Sequence, residues 1–478
     1  MLLRSRALVT ISGTDTDPRL RGEVSNLKIS AMLRGVSFAV AMLALIASLT
    51  GTPLRAAVFE PTHFTLDNGL EVVVVSDHRA PVVTHMVWYR VGSADEPRGK
   101  SGIAHFLEHL MFKGTDKLGP GEASRIIARI GGNENAFTSY DYTAYYQTVA
   151  PARLETVMEI EADRMANLKL AEDQVLAERD VVLEERRTRT DNSDAAKFRE
   201  QVNAATYLAY PYRIPIIGWE HEIRQLSQED AISFYKRWYA PNNAILIVAG
   251  DVTADTVRAL ADKHYGPAPR REIARRSRVD EPPHLAPRRL SMRSPQVGQP
   301  RFARRYLAPS HGYGASEHRL ALEVLTEILG GGTTSRLYRS LVVKGKLAVS
   351  AGSWYGGDDI GPSTFGFYGS PAEGKTVDDV EAAMDAEIEK LLKDGVTEDE
   401  VASAIKRLTR SAIFARDSVT APARIIGAAL ASGLTIEDIE SWPERIATVT
   451  ADDVLAAARA VLKPERSVTS ILLPEDAQ

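Results

Sequence analysis

The chain contains one helix-and-strand unit twice. Residues 223–241 align without gaps to residues 446–464, an offset of 223 positions. In each copy a hydroxyl side chain, Ser227 or Thr450, precedes a helical pattern, and an aspartate follows three positions later. That pairing is typical of a capped helix N-terminus. A proline ends each helix, and an apolar segment that favours a strand follows. The repeat restricts the chain to folds made of two related halves.

A second alignment sets the size of each half. Residues 106–115 resemble residues 324–333 at an offset of 218 positions. This period is too long for a solenoid, and a chain of 478 residues, 44% of them hydrophobic, can fill two large cores. In each half the pattern indicates strands, helices, strands, further helices and a last strand. We predict an α+β fold of two duplicated domains, each a mostly antiparallel sheet with helices packed on one face.

The composition also places the domain boundaries. Residues 271–299 are rich in Arg and Pro, which is typical of an extended, exposed linker. We therefore predict a first domain at residues 58–270 and a second domain at residues 300–478.

An export signal precedes the first predicted domain. Residues 35–54 carry no charge, and their apolar centre at 36–49 has the length of a signal-peptide core and is short for a membrane span. Residues 1–57 are therefore a signal peptide or an extended leader, and we predict export to a bacterial periplasm. An uncleaved membrane anchor is the alternative, and Met32 is an alternative start.

Composition excludes several classes of function. The chain has no cysteine, so thiol nucleophiles, thiolate metal sites and disulfides are excluded. The formal charge of −5 gives no electrostatic footprint for nucleic acid. Any catalysis must use His, carboxylates, hydroxyls or amines.

A compact polar motif, H-x-x-E-H, stands out in an otherwise apolar segment. His105 and His109 are four positions apart, so on a helix both imidazoles share one face and can bind one cation. Glu108 lies beside that face and can reach a water at such a cation. Burying three polar side chains costs several kcal/mol unless they are paired or bind metal. Two core histidines hydrogen-bonded to Glu108 are the alternative explanation.

A zinc site of this kind needs a third protein ligand and an open position. Glu178 and Glu185 are seven positions apart, two helical turns, and therefore share one face of a later helix. When such a run is taken alone, solvated surface charge is the favoured explanation.

These segments together carry a family resemblance. The motif inverts the thermolysin-like H-E-x-x-H and marks the inverzincins, and the chain resembles pitrilysin-type zinc metallopeptidases, in particular the processing-peptidase-like two-domain subunits. The match covers residues 59–474 and includes GLEVVVV, SGIAHFLEHLMFKGT, GGNENAFTSYDYTAYY, ERDVVLEE, GWEHEI and RWYAPNNAILIVAGDV.

The resemblance implies a role for each polar residue. One Zn²⁺ per chain would be bound by His105, His109 and Glu185, which follows His109 by the family's spacing of 76 positions. Glu108 would be the general base, and Glu178 would assist the site from behind the ligands.

The resemblance also implies how substrate binds. Members of this family bind peptides as an added strand on a sheet edge, which in this chain would be Asn135, Ala136, Phe137 and Thr138. Such binding recognises the backbone first and side chains second. An ordinary core strand with a polar tip is the alternative for this segment.

The second half departs from the first at the metal ligands. The internal alignment places Glu323, Thr326 and Glu327 opposite the H-x-x-E-H residues, and residues 403–411, opposite the third ligand, contain no acid. We predict that the second domain is metal-free.

The second half also departs from complete members of the family. In those enzymes an Arg and a Tyr of the second half reach the substrate carbonyl, where such donors stabilise a developing oxyanion. Alignment places Val342 and Val349 at these positions, and neither side chain can donate a hydrogen bond. Tyr338 or Arg339 could substitute only in a shifted register. We predict a heterodimer with a homologous, zinc-free subunit that supplies the pair.

The predicted function is therefore that of a zinc metalloendopeptidase subunit acting on peptides or unfolded segments. A self-sufficient homodimeric peptidase is one alternative. A non-catalytic assembly or scaffold subunit is another, and a regulatory peptide-binding protein is a third.

Overall fold

The structure, a computed structural model, describes residues 58–475. The predicted leader or anchor at residues 1–57 lies outside these residues. Within them no helix combines the length and the hydropathy that a membrane span requires.

The first half contains one six-stranded sheet in the order β1-β2-β6-β3-β5-β4. Its pairs are antiparallel except for the parallel pair of β2 and β6. The strands are β1 (Thr62–Thr65), β2 (Glu71–Ser76), β3 (Val83–Tyr89), β4 (Asn133–Thr138), β5 (Thr143–Val149) and β6 (Ala244–Gly250).

Eight helices accompany this sheet in the described part of the first half. They are α1 (Ile103–Leu110), α2 (Glu122–Arg129), α3 (Leu154–Asn167), α4 (Glu172–Arg186), α5 (Asp194–Thr206), α6 (Glu220–Ile223), α7 (Gln228–Trp238) and α8 (Ala254–His264). A π-helical turn, Arg187–Asp191, continues α4.

The second half repeats this topology in a five-stranded sheet of order β7-β11-β8-β10-β9. Its strands are β7 (Arg288–Ser294), β8 (Arg301–Ala308), β9 (Ala348–Tyr355), β10 (Ser363–Pro371) and β11 (Ser467–Pro474). Its last strand, β11, pairs in parallel with β7 and antiparallel with β8, as β6 pairs with β2 and β3, and β1 has no counterpart among the described strands of this sheet. Thus β9 occupies in this sheet the edge position that β4 occupies in the first, and the predicted α+β fold of two duplicated domains is confirmed.

The helices of the second half follow the same scheme. They are α9 (Arg319–Gly330), α10 (Val377–Asp394), α11 (Glu398–Ala415), α12 (Ala421–Ala431), α13 (Ile436–Glu440), α14 (Trp442–Ile446) and α15 (Ala451–Val461). The repeated unit that opened the sequence analysis is α7–β6 in one half and α15–β11 in the other. Ser227 and Thr450 each form the expected capping box with an Asp.

Strand β7 lies inside residues 271–299, the segment predicted as a linker. Its sequence RRLSMRS alternates between more buried and exposed positions, and it pairs with β11 along its whole length. The linker prediction was therefore wrong for this strand. A polar, Arg-rich edge strand has no continuous apolar pattern, so its composition resembles that of a linker.

Each sheet has two differently covered faces. One face carries the helices of its own half, as predicted. The opposite face is covered in part by a helix from the other half: α12 packs on the first sheet, and α5 packs on the second. These two helices follow corresponding long helices, α11 and α4, so the halves exchange equivalent elements.

Candidate active site

The H-x-x-E-H motif lies on α1, whose start is fixed by the preceding loop. The carboxylate of Glu96 accepts the N–H groups of Gly102 and Ala104 at 3.0 and 2.9 Å, which satisfies unpaired donors at the helix N-terminus. Gly102 has φ of 88°, and a Cβ there would lie 2.5 Å from the carbonyl oxygen of Ile217. Glycine is therefore required at this turn.

The two histidines face a carboxylate from α4, that of Glu185, which the family resemblance implied as the third ligand. Glu185 Oε2 lies 3.7 Å from His105 Nε2 and 3.3 Å from His109 Nε2. Ligand atoms of all three residues lie within 4.8 Å of one another, and they are the one such group among residues 58–475. The imidazole rings themselves are 4.7 Å apart at 67°.

Glu178, two turns before Glu185 on α4, binds the ring nitrogen of His109 that does not face Glu185. His109 Nδ1 and Glu178 Oε1 are hydrogen-bonded at 2.8 Å, and Lys113 forms an ion pair with the other oxygen of Glu178. With Nδ1 donating to Glu178, Nε2 of the same ring is directed at Glu185. Sequence reasoning identified Glu178 and missed Lys113, although Lys113 stands in the quoted segment SGIAHFLEHLMFKGT.

The two imidazoles differ in their affinity for protons. Burial and the neighbouring His109 lower the pKa of His105 to about 4. Burial also opposes protonation of His109, but its hydrogen bond to Glu178 and the adjacent carboxylate of Glu185 outweigh burial and raise its pKa to about 9. The imidazole of His109, whose Nε2 lies 3.3 Å from Glu185 Oε2, lowers the pKa of Glu185.

The donor atoms suit a divalent cation. Glu185 Oε2 is buried and accepts no hydrogen bond from any described residue, although it lies between two imidazoles. An acceptor left without a partner at the centre of two further ligands is unfavourable unless a cation binds there. Arg189 forms an ion pair with the other oxygen, Oε1.

Glu108 is buried one position before His109, on the side of α1 that meets β4. The Thr138 hydroxyl donates to Glu108 Oε2 at 2.5 Å. Burial raises the pKa of Glu108 against the opposing effect of this hydrogen bond. Sequence reasoning placed Thr138 on the substrate strand and did not foresee its contact with Glu108.

Strand β4, which contains the four predicted substrate residues, is the terminal strand of the first sheet. It pairs with β5 on one side, and no described strand pairs with its other side. Ala136 N–H donates to the side-chain oxygen of Asn135 at 2.8 Å. Phe137 packs against the ring of Trp88 on the sheet face away from α1.

The corresponding position in the second half is filled by ion pairs. Glu327, the counterpart of His109, accepts from Arg407 of α11 at 2.5 Å. Glu323, the counterpart of His105, accepts from Arg319 and from the indole of Trp442 at 3.1 and 2.9 Å. Among the described residues of this half, no group of three potential metal ligands occurs.

Tyr338, Arg339 and Val342 lie on the π-helical turn Tyr338–Lys344. Val349 lies on edge strand β9, where 52% of its surface is exposed.

Two protein-family models match the chain. "Insulinase (Peptidase family M16)" matches residues 71–219, and "Peptidase M16 inactive domain" matches residues 225–408.

Relatives with related names cover most of the chain. "Zinc protease PqqE" of Helicobacter pylori is 37% identical over 306 residues, 63% of this chain and 68% of that protein. "Uncharacterized zinc protease Rv2782c" of Mycobacterium tuberculosis is 31% identical over 418 residues, 85% of this chain and 92% of that protein.

Solved structures agree with the fold. The crystal structure of a protease from Helicobacter pylori has a TM-score of 0.79 and 31% identity and covers 87% of this chain and 100% of that chain. A putative M16-like peptidase from Alicyclobacillus acidocaldarius has a TM-score of 0.78 at 23% identity, covering 87% and 98% of the two chains. The resemblance to the pitrilysin-type metallopeptidases is therefore confirmed, and the chain belongs to peptidase family M16.

Proposed function

We propose that the chain is a zinc-dependent endopeptidase subunit that hydrolyses peptides or unfolded protein segments. The observation that carries this proposal is the convergence of His105, His109 and Glu185 within 4.8 Å, beside Glu108 and an unpaired strand edge. Two imidazoles and one carboxylate form the protein ligand set of a well-known class of catalytic zinc site. The names of the relatives, zinc proteases, support the same metal and reaction.

The chemistry assigns separate tasks to the two oxygens of Glu108. Bound zinc would supply Lewis-acid polarisation of water and of the scissile carbonyl. Glu108 Oε2 is occupied by the Thr138 hydroxyl, so Oε1 is the oxygen that accepts the proton of the attacking water. The buried carboxyl, whose pKa is raised, then donates this proton to the leaving amide nitrogen.

The substrate would add to β4 as a further strand. Backbone groups of Asn135, Ala136, Phe137 and Thr138 would pair with the peptide, which explains why an extended or unfolded segment is needed. The side chain of Asn135 holds the Ala136 N–H at 2.8 Å, and the incoming carbonyl has to displace it.

A first experiment tests the metal and the base together. Full-length protein purified with zinc is expected to hold about one zinc per chain. Glu108→Gln should keep that zinc and the unfolding temperature while peptide cleavage falls by ~10²–10⁴-fold. Cleavage at the parent rate would exclude Glu108 as the base. A zinc-free parent protein would instead support the scaffold alternative.

The oxyanion donors are proposed to come from a second, homologous subunit. Val342 and Val349 stand where Arg and Tyr are expected, and neither carries a donor. Native purification followed by mass spectrometry should recover a partner of similar size. Full cleavage activity of the isolated chain would favour the self-sufficient homodimer.

We also propose that the chain is exported, on the basis of the apolar segment within residues 1–57. These residues lie outside the described structure. Sequencing the N-terminus of the protein from its native host should find it near residue 58. An intact N-terminus would favour the membrane-anchored form.

A further inference from the structure

Helix α12 of the second half places an arginine on the sheet face that borders the substrate edge. The guanidinium of Arg424 lies 5.1 Å from the ring centre of Phe137 on β4 and 4.6 Å from that of Tyr146 on β5. A second-half residue is therefore next to the strand on which the first half is proposed to bind peptide.

The side chains of β4 alternate between the two faces of the sheet. Ala136 packs against the core beneath α1, and Thr138 reaches Glu108 on that same side. Phe137 packs on the opposite side with Trp88 and α12. A peptide paired with β4 must alternate in the same way. Every second side chain of the peptide thus points toward the zinc ligands, and the others point toward Arg424.

The charge of Arg424 has no counterion in the described chain. No carboxylate from residues 58–475 forms an ion pair with it, and its side chain is exposed. The two aromatic rings support the guanidinium plane and leave its N–H edge available.

We propose that Arg424, supported by Phe137 and Tyr146, forms a subsite for an acidic side chain of the bound peptide. A guanidinium binds a carboxylate through two parallel hydrogen bonds. A lysine on the peptide cannot accept these bonds, and its positive charge is repelled by Arg424. The subsite rests on the proposed peptidase function and deepens it, because it selects among peptides that backbone pairing alone would accept.

The test is a set of peptides that differ at one position. Alanine is replaced in turn by Asp or Lys along the peptide, and kcat/KM is measured with the zinc-loaded full chain and its partner, if one co-purifies. We expect Asp to be preferred over Lys by ~10-fold at alternate positions. The preference should be lost in Arg424→Gln, reversed in Arg424→Glu, and reduced by high salt.

A matched control lies on the other edge of the same sheet. Arg258 is also exposed and stacks on an edge-strand aromatic, Phe64 of β1, at 3.7 Å. Arg258→Glu introduces the same change in net charge and should leave the Asp preference intact.

Binding measured without turnover separates this inference from the proposed function. The Glu108→Gln variant is titrated with the same peptides, and fluorescence anisotropy gives their affinities. An Asp preference that depends on Arg424 in this assay supports the subsite even if no peptide is hydrolysed. An unchanged preference in Arg424→Glu overturns the subsite, and the peptidase function then stands or falls on cleavage by the parent protein.

Discussion

His105 and His109 share one helix turn but have different surroundings. His109 donates to Glu178 and contacts Glu185, whereas His105 Nδ1 is buried without a partner among the described residues. The proton that competes with a metal is therefore held mainly by His109.

Zinc affinity should depend on pH through this one imidazole. The pKa of His109 is about 9 in the metal-free protein, so below that pH zinc must displace a proton, while His105 is already neutral. The apparent affinity should fall about tenfold per pH unit from pH 9 toward pH 6 and level off above 9. Competition with a chromophoric chelator measures this slope. Affinity that is flat between pH 6 and 8 would show that His109 is not protonated in the free site.

Glu178 should affect the metal without touching it. Glu178→Gln removes the charge that orients His109 and leaves Lys113 unpaired, so zinc affinity or activity should fall ~10–100-fold. Chelator competition and steady-state cleavage measure the two effects. Glu184→Gln is the matched control, because Glu184 is on the same helix with an exposed side chain. Equal behaviour of the two variants would reduce Glu178 to a structural charge.

At this scale the sequence predicts which side chains meet and leaves out what supports them. Helical periodicity put His105 and His109 on one shared face and Glu178 and Glu185 on another, whereas the meeting of the two pairs was implied by the family resemblance. The Thr138–Glu108 bond depends on how β4 packs against α1, which no local pattern encodes.

Helix α12 packs closely on the first sheet because one of its residues has no side chain. A Cβ on Gly427 would lie 2.0 Å from the ring of Trp88, which is 1% exposed. Glycine therefore lets a second-half helix approach the first sheet closely.

Gly427→Ala should destabilise the protein although alanine favours helices. The usual gain of ~0.5–1 kcal/mol should be outweighed by overpacking of ~1–3 kcal/mol. Urea unfolding measures the sign. Ser411→Ala, at an exposed position of α11, should stay within ~0.5 kcal/mol of the parent. A stabilised Gly427→Ala variant would mean that α12 does not rest on Trp88.

Most elements were predictable from local patterning, and their partners were not. Patterning predicted strands, then helices, further strands, further helices and a last strand in each half, which is the observed order. Strand β7 was missed because it is polar, and the exchange of α5 and α12 was missed because an amphipathic helix does not specify which sheet it covers.

In the whole molecule the two halves depend on each other for burial. Phe198 and Val202 of α5 pack on the second sheet with Leu472, and Ile426 and Leu430 of α12 pack on the first with Trp88. Each half taken alone would expose an apolar sheet face.

Separately expressed halves should therefore fold only together. A break between Leu285, which is 84% exposed, and Ala286 keeps β7 with its own sheet. Residues 58–285 and 286–478 should each aggregate alone and form a 1:1 complex when co-expressed. Affinity purification through a tag on one fragment, followed by light scattering, measures the complex. A monomeric, cooperatively unfolding single fragment would contradict this dependence.

The exchange of helices has a consequence for how such a duplicated gene can change. The Glu327–Arg407 pair balances charge in the second half at the position that corresponds to His109 in the first. Deleting the second half would strip the surviving sheet of its cover and remove Arg424 from beside the peptide edge. The two copies can therefore diverge in sequence and take different roles, but neither can be deleted without destabilising the other.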